Sequence, residues 1–143
     1  MSILAKLRKG VVTVTADETR ALGARLAAAL PPDATVALHG DLGTGKTTFV
    51  QGLARGLGVA DVVTSPTFNI FHLYRGKRTF VHLDAYRLEN AHQVAELMLE
   101  DFLASPWCLA VEWPEKIAAA LPDDAVRLAL SIEAPGRHRI VLR

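Results

Sequence analysis

A glycine-rich loop at residues 40–47, GDLGTGKT, matches the pattern GxxxxGK[ST] at every fixed position. A polyphosphate needs several backbone N–H groups that point inward, and glycines let a chain wrap around it without side-chain clashes. The pattern predicts that Lys46 reaches the β- and γ-phosphates of a nucleotide and that the Thr47 hydroxyl binds Mg²⁺. An ordinary tight turn is the alternative. The predicted nucleotide contacts from this region are Asp41, Leu42, Gly43, Thr44, Gly45, Lys46, Thr47 and Thr48.

Two acidic residues end apolar segments that have the composition of buried strands. Asp84 ends the segment FVHLD, and Glu112 ends the segment LAVE. Ligands of open α/β sheets lie beyond the carboxyl ends of parallel strands, so both acids reach one site if their strands run parallel to the strand before the glycine-rich loop. One acid could then hold Mg²⁺ through water while the other orients or activates an attacking water. Solvated carboxylates at strand ends are the alternative.

Four further residues admit both a structural and a functional interpretation. His82 shares a strand face with Asp84 and could orient it, or could pack and hydrogen-bond inside the core. Trp113 either belongs to the core or covers part of the site. The Thr67 hydroxyl could sense the γ-phosphate and the metal, or could close a local turn. Arg87 could stabilise developing charge or form a surface ion pair.

Hydrophobic periodicity predicts the elements that would position these residues. The predicted strands cover residues 11–14, 35–38, 68–74, 79–84, 108–113, 126–132 and 139–142. The predicted helices begin at capping boxes at Thr15 and Asn90, after the glycine-rich loop, and at Pro114. In the helix after Asn90, a stripe predicted to pack in the core consists of Ala91, Val94, Ala95, Met98 and Phe102.

The alternation of helices and strands predicts an α/β fold. We expect a three-layer sandwich like that of P-loop NTPases, with a mixed, mainly parallel sheet and added antiparallel hairpins. The length of 143 residues suits a single domain over residues 1–143.

Composition excludes several other classes of protein. Half of the residues are hydrophobic and the net charge is +1, which is typical of a globular domain without the basic surface of a nucleic-acid binder. No apolar segment approaches the length of a membrane span, and the N-terminus lacks the features of a signal peptide. The single cysteine, Cys108, rules out an internal disulfide, and no paired Cys/His spacing indicates structural zinc. We expect a cytoplasmic protein that does not contact a membrane.

These segments, in this order, resemble the TsaE (YjeE) family of bacterial P-loop ATPases. The resemblance is carried by GDLGTGKTTF at 40–49, VTSPTFNI at 63–70, HLDAYRLE at 82–89 and VEWPEK at 111–116, with weaker matches at 19–27 and 136–140. It implies a Mg²⁺-dependent ATPase needed to make N6-threonylcarbamoyladenosine in tRNA. Family members bind a complex of TsaD and TsaB and keep it turning over by hydrolysing ATP to ADP, and any tRNA contact is indirect or uncertain.

The resemblance also implies roles for individual residues by motif position. Glu112 corresponds to the acid that binds the metal with Thr47, and Asp84 to the catalytic acid. Lys46 corresponds to the phosphate-binding lysine, and Thr67 to part of a nucleotide-sensing switch.

The weaker matches and two departures carry further expectations. Thr19 and Arg137 are implied to lie near the base and ribose of the nucleotide. Thr44 replaces the usual alanine, but its side chain need not touch phosphate. Met98 stands where glycine is common, which puts the local geometry of that helix in question.

Three other functions compete with that of a regulatory ATPase. A small-molecule kinase is the principal alternative, but it needs an acceptor pocket and an arginine-bearing lid, and few residues remain for either. A GTPase switch would need a guanine-reading motif such as NKxD, which is absent from the sequence. A nucleotide-dependent binding module with negligible turnover differs least from the ATPase, because partners can complete a slow site.

Overall fold

The computed structural model describes residues 1–66 and 69–143. The strands formed by these residues are β1 (Val11–Thr13), β2 (Ala34–His39), β3 (Phe71–Arg75), β4 (Thr79–Asp84), β5 (Trp107–Glu112), β6 (Val126–Ala134) and β7 (Arg137–Leu142). The α-helices are α1 (Ile3–Lys9), α2 (Ala16–Ala29), α3 (Lys46–Gly56) and α4 (Ala91–Glu96). Two 3₁₀ helices cover Leu99–Asp101 and Pro114–Ala120. None of the helices in this described part is long and apolar enough to span a membrane.

The described strands form one seven-stranded sheet in the order β1-β7-β6-β2-β5-β4-β3. Its centre is parallel, because β2 pairs in parallel with both β5 and β6, and β4 pairs in parallel with β5. Antiparallel strands flank this centre, with β3 on one side and with β7 and β1 on the other. The predicted α/β fold with a mixed sheet and added hairpins is confirmed. Phe68, where a strand was predicted to begin, lies outside the described residues.

Apolar side chains cover both faces of the sheet, because successive residues of a strand point to opposite sides. One core, under α1, α2 and α3, includes Leu26, Val36, Leu38, Phe49, Leu53 and Phe80. The other core, beside α4 and the 3₁₀ helices, includes Val81, Leu83, Leu99, Val111 and Ile117. The result is the predicted three-layer arrangement.

The helices α2 and α3 pack at the distance of backbone contact. A Cβ atom at Gly52 would lie 2.0 Å from the carbonyl oxygen of Arg20, and one at Gly23 would lie 2.4 Å from the carbonyl oxygen of Phe49. Only glycine permits so close an approach at these positions. This contact fixes the position of α3, whose first turn follows the glycine-rich loop.

The predicted capping residues are confirmed at two helices. The Thr15 hydroxyl accepts a hydrogen bond from the Glu18 N–H group, and the Asn90 side chain accepts one from the Gln93 N–H group. The sequence pattern predicts no helix before β1, yet α1 forms there with Ser2 as its N-cap. A helix of seven residues has little intrinsic stability, so burial of its apolar side in the core explains its formation.

The predicted buried stripe of the helix after Asn90 is confirmed only at Val94, which packs against the second core, and its continuation to Met98 and Phe102 is wrong. The helix α4 ends at Glu96, and Met98 adopts a left-handed conformation with φ of 52° before the 3₁₀ helix begins. This break rotates the following residues, so Met98 and Phe102 are 53% and 40% exposed while Leu99 is buried. Met98 therefore occupies a left-handed position, which glycine adopts at lower cost in free energy than methionine.

Candidate functional site

The glycine-rich loop connects the end of β2 to the start of α3. Gly43 and Gly45 have φ values of 80° and 102°, which are typical of glycine, and Gly45 is the N-cap of α3. The first N–H groups of a helix have no acceptor within the helix, and the helix dipole places partial positive charge there. The loop therefore has the backbone conformation and the helix terminus that bind phosphate in other proteins.

A cavity of about 460 Å³ opens beside this loop. Its lining residues are Val14, Thr15, Ala16, Thr19, Leu42, Gly43, Gly45, Lys46, Thr47, Thr48, Ser65, Asp84, Glu112, Trp113, Gly136 and His138. The structure thus brings most of the predicted site residues together. Asp41, Thr44 and Arg137 are not in the lining, and Thr67 lies outside the described residues, so its role in nucleotide sensing stays a prediction.

The buried side chain of Lys46 lies in this cavity. Its ammonium group donates a hydrogen bond of 2.5 Å to the carbonyl oxygen of Gly40, at the start of the same loop. Burial lowers the pKa of Lys46, and the nearby carboxylates of Glu112 and Asp84 oppose that shift. The loop therefore holds a largely desolvated ammonium group in a cavity that the carboxylates of Asp84 and Glu112 also line.

The two predicted acids lie next to each other across neighbouring parallel strands. Asp84, at the end of β4, is in register with Glu112, at the end of β5, and Glu112 is in register with Leu38 of β2. Both strands run parallel to β2, which is the condition for the two acids to reach one site. Asp84 accepts a hydrogen bond of 3.0 Å from the Tyr86 N–H group, whereas Glu112 is only 4% exposed.

His82 hydrogen-bonds to Glu112. Its Nε2 atom lies 2.5 Å from Oε2 of Glu112, and the ring is completely buried. Of the two interpretations of His82, the structure supports a buried, hydrogen-bonded histidine, whose partner is the acid of the neighbouring strand and not Asp84. Arg87 is exposed.

Trp113 lines the cavity and also packs against the second core. Its φ of 57° turns the chain out of the sheet geometry at the end of β5. Strand alternation alone would place it opposite Glu112, so the left-handed turn explains how both side chains reach the same cavity. Trp113 therefore belongs to the second core and also covers part of the cavity.

The strand β7 contributes a residue that the sequence analysis missed. Nδ1 of His138 donates a hydrogen bond of 2.9 Å to the carbonyl oxygen of Thr44, which ties β7 to the glycine-rich loop. The predicted Arg137 is the preceding residue, and its guanidinium lies 3.6 Å from the carboxylate of Glu133. Because adjacent strand residues point to opposite faces, the segment 136–140 contained the available signal, but the inward residue is His138.

The remaining predicted contacts have local structural partners. Thr44 donates from its hydroxyl to the carbonyl oxygen of Asp41 at 2.9 Å and so closes the loop on itself. Asp41 and Thr44 both line a second cavity, of about 510 Å³. Thr19 lines the first cavity and lies 2.7 Å from the hydroxyl of Thr13, oxygen to oxygen.

The oxygen atoms in the cavity fit Mg²⁺ that is held together with phosphate. Thr47 offers a hydroxyl, and Asp84 and Glu112 offer carboxylates. Within residues 1–66 and 69–143, no three His, Cys, Asp or Glu side chains form a metal-binding group on their own. Mg²⁺ suits such an incomplete set, because it is commonly bound by one or two carboxylates together with water and phosphate oxygens.

Comparison with known proteins agrees with this arrangement. Residues 13–140 match the family model described as "Threonylcarbamoyl adenosine biosynthesis protein TsaE". Two similar proteins are named "tRNA threonylcarbamoyladenosine biosynthesis protein TsaE". The protein from Treponema pallidum is 34% identical over 92% of this chain and 97% of its own length. The protein from Bacillus subtilis is 37% identical over 82% of this chain and 74% of its own length.

A solved structure shares the fold. The crystal structure of Bacillus subtilis YdiB superimposes with a TM-score of 0.74 at 32% sequence identity, covering 93% of this chain and 82% of the YdiB chain. The family match includes the glycine-rich loop, both strand-end acids and His138. The resemblance stated from four sequence segments is confirmed, and the chain belongs to the TsaE family of threonylcarbamoyl adenosine biosynthesis proteins.

Proposed function

We propose that this protein is a Mg²⁺-dependent ATPase that drives the turnover of a TsaD–TsaB complex during synthesis of N6-threonylcarbamoyladenosine in tRNA. One observation carries the proposal: Lys46, Thr47, Asp84 and Glu112 line a single cavity beside the glycine-rich loop. The names of the relatives supply the pathway. A role in tRNA modification also supports a cytoplasmic location.

The glycine-rich loop and Lys46 bind the phosphates of ATP in this proposal. The N–H groups of the first turn of α3 would donate to phosphate oxygens, and the Lys46 ammonium would exchange the Gly40 carbonyl for phosphate. Thr47 and Glu112 hold Mg²⁺, which neutralises charge on the phosphates when it is bound. Thr19 lines the same cavity, and we assign it a position near the base and ribose of the nucleotide.

Asp84 is the residue that we propose to act on the attacking water. Its Oδ1 atom is held by the Tyr86 N–H group, which orients the carboxylate. A positioned carboxylate orients the water and accepts its proton as the water oxygen bonds to the γ-phosphorus and the bond from that phosphorus to ADP breaks. The position of Asp84 beside Glu112 keeps this function on the same side of the sheet as the proposed metal ligands.

The proposed activity is slow in the isolated protein because the rim of the cavity is exposed. Leu42 and Val14 line the cavity, yet they are 77% and 50% exposed. A contiguous exposed apolar patch is typical of a surface that a partner covers, and we assign that role to this edge of the cavity. A bound partner would cover this edge and exclude water from the phosphates, which supports activation by TsaD and TsaB.

Release of phosphate from ATP tests the proposal directly. Purified protein is incubated with ATP and Mg²⁺, and ADP and phosphate are quantified, first alone and then with TsaD and TsaB. We expect slow hydrolysis in the protein alone. The hydrolysis should be lost in EDTA, and its rate should change when both partners are added. No hydrolysis under either condition would refute the ATPase, and transfer of phosphate to a metabolite would favour a kinase. An unchanged rate, together with no co-purification in ATP, would refute the partners.

A further inference from the structure

The hydrogen bond between His82 and Glu112 has a direction that the chemistry of the two groups determines. A carboxylate only accepts hydrogen bonds, so Nε2 of His82 carries the proton that is shared with Oε2 of Glu112. The other ring nitrogen, Nδ1, is buried and has no hydrogen-bond partner among residues 1–66 and 69–143. Within the described residues, the hydrogen bond to Glu112 is therefore the one that the His82 ring makes.

The sheet brings these two side chains together from different strands. His82 is in register with Ala110, so Glu112 lies two residues further along the neighbouring parallel strand and on the same face. Both side chains are buried, and the backbone of both strands lies in the parallel centre of the sheet. Rigid strands therefore hold the donor and the acceptor, which makes their relative position well defined.

We infer that His82 is a positioning residue, which fixes one oxygen of Glu112 so that the other is the oxygen that binds Mg²⁺. The inference rests on the proposed function, because it assumes that Mg²⁺ binds beside Glu112. Glu112 lines the cavity while its Oε2 atom is held by His82, so among the described residues Oε1 is the oxygen left for a ligand. A donor behind a ligating carboxylate orients it, and loss of such a donor weakens metal binding.

The fixed carboxylate also affects Lys46. Glu112 interacts electrostatically with the Lys46 ammonium, which the proposed function assigns to phosphate. A carboxylate that could rotate freely would be drawn toward this cation and away from the metal. The hydrogen bond from His82 opposes that rotation, so the same contact keeps the metal ligand and the phosphate ligand apart.

Three substitutions of His82 separate positioning from simple packing. In His82→Gln the side-chain amide reaches about as far as Nε2 and can donate to Glu112. The amide of His82→Asn is shorter and corresponds to Nδ1, so it does not supply this donor. His82→Leu removes the donor and keeps an apolar side chain of comparable length. The control is His72→Leu, because His72 lies opposite His82 in the register of β3 and β4 and contacts Tyr74 instead.

Calorimetric titration of each protein with ADP, in excess Mg²⁺ and again in EDTA, tests the inference. We expect the wild type, His82→Gln and His72→Leu to bind ADP more tightly in Mg²⁺ than in EDTA. In His82→Asn and His82→Leu we expect this gain to fall about tenfold, with the affinity in EDTA unchanged. A merely structural role would lower both affinities together or neither.

The outcomes distinguish this inference from the proposed function. If the wild type gains affinity from Mg²⁺ and a folded His82→Asn protein keeps that gain, positioning by His82 is refuted while the proposed function stands. If the wild type gains no affinity from Mg²⁺, both are refuted. Thermal melting shows which variants fold. Should His82→Leu be unfolded, the comparison of His82→Gln with His82→Asn decides, because both variants are polar and differ only in reach.

Discussion

The ammonium nitrogen of Lys46 lies 3.9 Å from the centroid of the Trp113 indole ring. The same ammonium donates a hydrogen bond to the carbonyl oxygen of Gly40, so an aromatic face and a backbone oxygen both contact it. A cation over an indole ring is stabilised by about 0.5–2 kcal/mol, depending on how far it is desolvated. A phosphate that binds to Lys46 therefore replaces these two contacts, so the electrostatic environment of the Trp113 ring changes.

Trp113 should report nucleotide binding through its fluorescence. The chain has two tryptophans, and Trp107→Phe leaves Trp113 as the emitter. We expect the emission of this variant to change when ADP and Mg²⁺ are added, because the cation moves away from the ring. In the reciprocal variant, Trp113→Phe, the emission of Trp107 should stay constant. A Trp113 signal that does not respond to saturating ADP would show that Lys46 stays on the ring.

Lys46→Ala should abolish tight binding of nucleotide. The lysine makes charge-assisted hydrogen bonds, whose loss costs about 1.5–3 kcal/mol, so we expect affinity for ATP to fall by about 10- to 100-fold. Calorimetry or competition with a fluorescent nucleotide measures the change. The matched control is Lys116→Ala, an exposed lysine 5.8 Å from the Tyr86 ring, which should bind normally. Near-normal affinity in Lys46→Ala would remove this lysine from the phosphate site.

Asp84→Asn should bind ATP but hydrolyse it poorly. The amide keeps an oxygen that can accept the Tyr86 N–H hydrogen bond, but it cannot take a proton from water. General bases contribute about 10²- to 10⁴-fold to rate, so we expect turnover to fall at least 100-fold with little change in affinity. Steady-state kinetics with and without partners, beside the exposed-acid control Asp123→Asn, measures this. Normal turnover in Asp84→Asn would assign water activation to another group.

Met98→Gly should stabilise the fold slightly. Met98 has a left-handed backbone and an exposed side chain, so glycine relieves strain there and loses little packing. The strain is about 1–2 kcal/mol, and the greater freedom of glycine in the unfolded chain offsets about 0.4–1 kcal/mol of it. We expect the free energy of unfolding in urea to rise by about 0.5–1 kcal/mol. Met98→Ala is the control, because it keeps the strain, and equal stability of the two variants would contradict this explanation.

His39 should make stability depend on pH. Burial lowers its pKa from 6.5, Arg143 and Arg127 lower it further, and Glu115 opposes them. The unfolded state therefore binds more protons than the folded state once the pH falls below about 6.5, so stability present at neutral pH is lost in mild acid. Urea denaturation at about pH 7.5 and about pH 5.5 measures the loss. It should be smaller in His39→Gln, and an equal loss would assign the effect to other groups.

Local patterns account for the parts of the structure that the sequence predicted well. The glycine-rich loop and the capping boxes at Thr15 and Asn90 involve residues within a few positions of each other, so their geometry follows from residue type and spacing. The central strands were predictable because parallel strands buried on both faces are continuously apolar. The boundary that failed, after Glu96, depends on a left-handed residue that is not glycine, and no propensity rule predicts that conformation for methionine.

The amino-acid sequence by itself determined a phosphate-binding loop, two strand-end acids and a family. Only the tertiary structure decided that His82 holds Glu112 across 30 positions of sequence and that His138 reaches the loop from 94 positions away. It also decided that Trp113 turns back over Lys46. The physical reason is that contacts within the loop depend on consecutive backbone angles, whereas these pairs depend on strand order and register, which arise when the whole core packs.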